Sequence, residues 1–249
     1  MTENQQISDG SISGNVDIVY CIDATADMQN CFNTIKKVSK HLHTDIVKAL
    51  AERARRVEQL RVKVIAFRDF CYDDDDALTQ SRFFNLPDET VECEKFIDGI
   101  RAFGGGDIPD SALEALHLAI NSELDTSDIQ DGAIKRLHVI VLFTDAPAHM
   151  LDDADYRGKA SENPLYPKDC PSDLSGILDE WNEKMDPRSK RLIVFAPNAY
   201  PWELINNTFQ NSIIEYVSAG TGLDDIPDYF AYDNILRMIC EANDEDLVY

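Results

Sequence analysis

Residues 16–27 read VDIVYCIDATAD, a nearly continuous apolar run that ends in Asp23 and passes into a polar turn. A run with so little polar alternation reads as a strand buried on both faces of a parallel sheet. Residues 137–149, LHVIVLFTDAPAH, repeat the pattern and close on Thr144 and Asp145. Between them RVKVIAFRDF (61–70) carries Asp69 past a strand end, and FGGGDIPD (103–110) places Asp107 and Asp110 after three glycines. Carboxylates gathered at strand ends suggest a divalent-cation site on an α/β scaffold. If Asp23, Asp107 and Asp145 converged to about 5 Å, each pair would repel by about 3 kcal/mol at an effective dielectric of about 20. A bound cation is the usual way to hold such a cluster.

Working outward, apolar residues recur at helical spacing from Met28 to about Leu60 (Phe32, Ile35, Val38, Leu42, Ile46, Leu50). Arg61 to Phe67 alternates like a strand, and Ser81 to Leu86 reads as a short antiparallel edge partner beyond the solvated acidic run Asp73 to Asp76. A helix is expected from Glu89 to Ile100, and another from Pro109, at its first position, to about Asn121. The polar, proline-bearing stretch 148–171 reads as an insertion or lid. Helices over 174–185, 202–208 and 232–242 alternate with strands over 191–196 and 212–217. The alternation predicts a single α/β domain over 15–249, a Rossmann-like three-layer αβα sandwich. Residues 1–14 read as a flexible leader, with order beginning near Val16.

A formal charge of −23 over 249 residues argues against nucleic acid or an anionic membrane as the partner. No stretch is long and apolar enough to span a bilayer, and the start lacks the features of a secretory signal, so a cytoplasmic protein is expected. The six cysteines form no CxxC pair and read as free thiols.

DATAD after the first buried strand, GGGD before a helix and TDAP after a later strand together resemble a von Willebrand factor A (vWA) domain. The GGGDIP and TDAPAH forms are similar to an intracellular subgroup of that family found in bacterial and protist proteins. The resemblance implies a six-stranded, mostly parallel sheet with one antiparallel edge strand. It also implies a metal-ion-dependent adhesion site (MIDAS), with Asp23 at the first Asp, Thr25 at the first hydroxyl, Asp27 at the second hydroxyl position and Asp145 at the third-loop Asp. Asp107 falls near the second-loop Thr, with Asp110 as the alternative. Asp27 and Asp107 put acids where the family has hydroxyl groups, which makes this a variant motif that would more than neutralise a dication. Asp69, Asp110 and His149 are candidates for the rim, and Arg68 for an ion pair with one of the acids.

All-oxygen ligands favour Mg²⁺, with Ca²⁺ or Mn²⁺ as alternatives. The expected function is a metal-dependent protein-interaction module, not an enzyme, docking a protein that is not strongly acidic. A haloacid dehalogenase-like phosphoryl transferase is the competing reading, and Thr25 stands where that chemistry requires a second Asp as general acid. A metal-free structural scaffold is the third, with the strand-end acids serving only as caps.

Overall fold

The structure, a computed structural model, describes residues 12–29, 55–106, 108–124 and 136–220, with scattered helical positions between 41 and 52. Its strands are β1 (Ile12–Asp23), β2 (Arg55–Phe67), β3 (Leu78–Gln80), β4 (Phe84–Leu86), β5 (Arg136–Phe143), β6 (Lys190–Pro197) and β7 (Ser212–Val217). Its helices are α1 (Thr90–Gly99), α2 (Ala112–Ile120), α3 (Ala154–Ala160), α4 (Leu174–Lys184) and α5 (Trp202–Thr208). The sheet runs β3-β2-β1-β5-β6-β7, and β4 also pairs with β2. β1, β2, β5, β6 and β7 are parallel, while β3 and β4 run antiparallel to β2. This is the expected Rossmann-like α/β sheet.

Alternate side chains of the buried strands feed two cores. Ile18, Tyr20, Ile22, Val64, Val141 and Phe195 pack towards α1, where Cys93 and Ile97 are buried. Val19, Cys21, Ile65, Leu142 and Val194 pack on the other face, against Leu113 and Leu116 of α2, Trp181 of α4 and Trp202 of α5. With both faces covered, polar residues in the strand interiors are left to pair with one another.

Four boundaries differ from the sequence reading. β1 begins at Ile12, inside the segment expected to be a leader. β2 begins at Arg55, where the helical pattern was expected to continue to Leu60. The pairing steps from Gly14↔Val57 to Asn15↔Gln59, so Glu58 is an extra residue that breaks the period of two and makes this stretch mimic a helix. The edge partner is two three-residue strands, joined where Ser81 replaces a ladder rung: its N–H donates to Val64 O and its hydroxyl accepts from Val64 N, each at 2.9 Å. α2 starts at Ala112 because Asp110 is drawn into a bridge with Ala148, leaving Pro109 outside the helix. The 148–171 segment contains α3 and buries Leu151, Tyr156, Ala160 and Tyr166 in the second core. The expected closing helix at 232–242 lies outside the described residues.

Midway along β1 sits a fully buried acid, Asp17. Arg61 and His138 are its cross-strand partners in register. Arg61 Nε and Nη2 donate to the two carboxylate oxygens at 2.8 and 2.6 Å, and Arg136 Nη1 adds a bond at 2.9 Å. Removing one member of a buried ion cluster strands the others, at a cost of about 3–5 kcal/mol. Asp17→Ala is therefore expected to lower the urea-unfolding free energy by that amount; a loss below about 1 kcal/mol would show that the cluster is not structural.

Candidate metal centre at the strand ends

β1 delivers Asp23 to the carboxyl edge with no exposed surface. Thr25 turns back on it: its backbone N and its Oγ1 both donate to Asp23 Oδ1, at 2.9 and 2.7 Å. From the end of β5, Thr144 Oγ1 donates to Asp23 Oδ2 at 2.7 Å. Burial pushes the Asp23 carboxyl up to about 6, the three hydrogen bonds oppose the rise, and neighbouring Asp145 adds to it. Both hydroxyl protons point at Asp23, so each hydroxyl keeps lone-pair capacity for another partner.

The first loop is fastened to the glycine turn by Phe103 N donating to Ala24 O at 3.0 Å and Ala26 N to Gly104 O at 3.2 Å. Gly105 has φ +98°, and a Cβ there would stand 2.8 Å from Thr25 Cβ. Any side chain at this position would push Thr25 off Asp23. Asp73 caps the same turn, its carboxylate accepting from Gly105 N at 3.0 Å and from Asp69 N at 3.0 Å. Asp73 is thus a structural acid, unlike exposed Asp74, Asp75 and Asp76 beside it.

Among the described residues Arg68 does not form the expected ion pair with a neighbouring acid. Its guanidinium donates to four backbone carbonyls, those of Ala24, Phe103, Asp76 and Arg101, and lies 4.0 Å over the Phe103 ring. Asp69 instead accepts from Cys71 N at 2.6 Å and lies 3.0 Å from His149 Nε2. The His149 ring stacks on Tyr156 at 3.8 Å between centroids.

Asp110 and His149 meet through backbone: Asp110 N donates to Pro147 O at 3.1 Å and His149 N to Asp110 O at 3.0 Å. The Asp110 carboxyl, on a residue 4% exposed, lies in the field of Asp23, Asp69, Asp145 and Asp73. Burial first, and then those four charges, holds it far above the usual carboxylate range. Asp145 is buried, its carbonyl accepts from Gly220 N at 3.0 Å, and Trp202 Nε1 fixes the following Ala146 O at 3.0 Å.

Asp23, Thr25, Asp69, Asp110, Asp145 and His149 are therefore brought to one edge of the sheet. Asp27 is exposed on the 3₁₀ turn Ala26–Gln29, and Asp107 lies outside the described residues. Among the described residues no three His, Cys, Asp or Glu side chains are grouped so as to hold a metal ion by themselves. A cation here would need the hydroxyl groups of Thr25 and Thr144, or Asp107, beside Asp23 and Asp145.

Sequence reasoning noted Thr144 as a strand end without assigning it to Asp23, and it missed Glu114 altogether. Glu114 is the one acid in the apolar helix ALEALHLAI, which is its signal. It is fully buried, accepts from Tyr156 Oη at 2.7 Å, and is pushed by burial up to about 7.

No family model matches the chain. A putative ariadne-like RING finger protein, R811, of Acanthamoeba polyphaga mimivirus is 26% identical over 185 residues, which is 73% of this chain and 15% of that protein. The chain thus spans about 15% of the length of the curated relative it matches. Among solved structures, the pilus adhesin SpaC of Lactobacillus rhamnosus GG superposes with a TM-score of 0.54 at 13% identity, over 92% of this chain and 32% of SpaC. The mussel byssus protein PTMP1, in a structure described as having a zinc-occupied MIDAS motif, gives a TM-score of 0.44 at 15% identity, over 92% of this chain and 47% of that one. In sheet order and in its likeness to SpaC, the fold is vWA-like.

The electrostatics set a direction for pH dependence. Asp23 and Asp110 hold protons more tightly folded than unfolded, so the metal-free protein is stabilised by them at low pH. That contribution is lost as pH rises from the unfolded value of about 3.9. Asp23 accounts for the loss up to about pH 6, and Asp110 carries it higher. Asp110→Asn, with no charge to bury, should exceed the parent by about 1–3 kcal/mol at high pH in chelator and match it more closely in acid. Parallel urea-unfolding profiles of the two proteins across pH would contradict this.

Proposed function

We propose that the chain is a protein-interaction module whose strand-end face is organised by a divalent cation. Asp23, Thr25 and Asp145 would hold the ion, with Asp107 or Asp110 in the second-loop position and Thr144 as a further hydroxyl donor. The observation that carries this reading is buried Asp23 held by the Thr25 and Thr144 hydroxyls, each at 2.7 Å, beside the buried acids Asp110 and Asp145. A buried group of that charge requires either bound protons or a cation, and a cation answers the demand at neutral pH. The oxygen-only donors fit Mg²⁺, Ca²⁺ or Mn²⁺, and Mg²⁺ is our preferred ion. When bound, the ion would neutralise the cluster and lock the three loops that supply its ligands.

A non-enzymatic role is part of the proposal. Phosphoryl transfer of the haloacid dehalogenase kind would need a carboxylic acid two residues after Asp23; Thr25 stands there, with its hydroxyl proton committed to Asp23. The resemblance of this chain to part of a much longer RING finger protein supports a module that serves within larger assemblies. Free Cys21, Cys71, Cys93 and Cys170 suit a reducing, cytoplasmic setting. No helix among the described residues is long and apolar enough to cross a membrane.

Mg²⁺ at about a hundred times its Kd should stabilise the chelator-treated protein by about 2.7 kcal/mol, a rise in Tm of roughly 5–10 °C. Asp145→Asn should lose most of that response while keeping its fold. A Tm indifferent to Mg²⁺, Mn²⁺ and Ca²⁺ would return the chain to the metal-free scaffold reading.

A further inference from the structure

Large apolar side chains are left exposed around the acid cluster: Tyr72 is 50% exposed, Phe103 42%, Ile108 55% and Met150 49%. Each is tied to the frame of the site. Tyr72 packs on Gly106, and the Phe103 backbone bonds to Ala24 beside Asp23. Ile108 precedes Asp110 by two residues, and Met150 follows His149, whose N–H donates to Asp110 O. Exposed apolar side chains anchored around one site supply area that a docking partner would bury.

The charge of the same surface is predominantly acidic. Asp27, Asp74, Asp75 and Asp76 are exposed on its flank, and Asp152 and Asp153 are exposed just past Met150. Arg68 is buried and spends its donors on backbone carbonyls, Lys159 Nζ lies 3.8 Å over the Tyr72 ring, and Lys95 and Arg101 are exposed beside Phe103. Even with a dication bound, acids outnumber cations here.

We infer that this face takes a protein segment in which Lys or Arg is flanked by aromatic or aliphatic residues. The apolar flanks would cover Tyr72, Phe103, Ile108 and Met150, and the cation would reach the acids between them. An acidic segment would meet more like charge than opposite charge. This inference rests on the proposed interaction role but not on occupancy by a metal.

The test is a random peptide display library panned on the full chain, once with Mg²⁺ and once with EDTA. Peptides rich in Lys or Arg beside Leu, Phe or Trp are expected in both. A synthetic copy of an enriched peptide, followed by fluorescence anisotropy, should bind about tenfold or more weakly to the Ile108→Ser/Met150→Ser variant, whose altered side chains lie at the surface. Its affinity should also fall as KCl rises and in Asp74→Asn/Asp75→Asn. Enrichment of Asp or Glu peptides, no enrichment, or unchanged affinity for the Ile108/Met150 variant would each overturn the inference. Acidic peptides enriched only with Mg²⁺ would sink it while supporting the cation. Basic peptides held through Ile108 and Met150, in a protein whose Tm ignores cations, would leave it standing and sink the cation.

Discussion

The strand-end face depends on the guanidinium of Arg68. One planar group with five donors satisfies carbonyls from the first loop (Ala24), the stretch before the glycine turn (Arg101 and Phe103) and the acidic loop (Asp76). Without it, those carbonyls would face one another near a cluster of acids. With it, Thr25 is pressed against Gly105 and turned onto Asp23, and Asp73 is aimed at the Gly105 N–H. A residue adjacent to the site thus hydrogen-bonds only to its backbone, while its charge also acts on Asp73, Asp76 and Asp23.

The molecule buries two aspartates on β1 and treats them differently. Asp17, midway along the strand, meets Arg61 and Arg136 directly, so its charge is neutralised inside the fold. Asp23, at the carboxyl end, meets two threonine hydroxyls and other acids. The first arrangement is closed and structural. The second is pre-organised around hydroxyl groups and other acids, the arrangement on which the proposed cation site rests.

Much of this was legible in the chain itself, for stated physical reasons. Continuous apolar runs ending at Asp23 and Phe143 announce doubly covered parallel strands, and three successive glycines announce a turn that tolerates no side chain. What misled was local. The extra residue Glu58 in β2 broke the alternation and imitated a helix, and Ser81 split one edge strand into two by substituting its hydroxyl for a backbone acceptor. Pro109 looked like a helix start, but long-range pairing of Asp110 with 147–149 outweighed it. Arg68 could be assigned to the rim, yet its choice of carbonyls over carboxylates is a tertiary fact. The same holds for Glu114, which shows in sequence only as an acid on an apolar helix.

The central claim is that Asp23, Thr25 and Asp145 share a cation. Crystals of the full chain grown with Mn²⁺ test it most directly, through anomalous scattering at the manganese edge. The account predicts one dominant peak at the carboxyl ends of β1 and β5, within coordination distance of oxygens from Asp23, Thr25 and Asp145. A map with no peak there, or a peak held elsewhere by other residues, would contradict it.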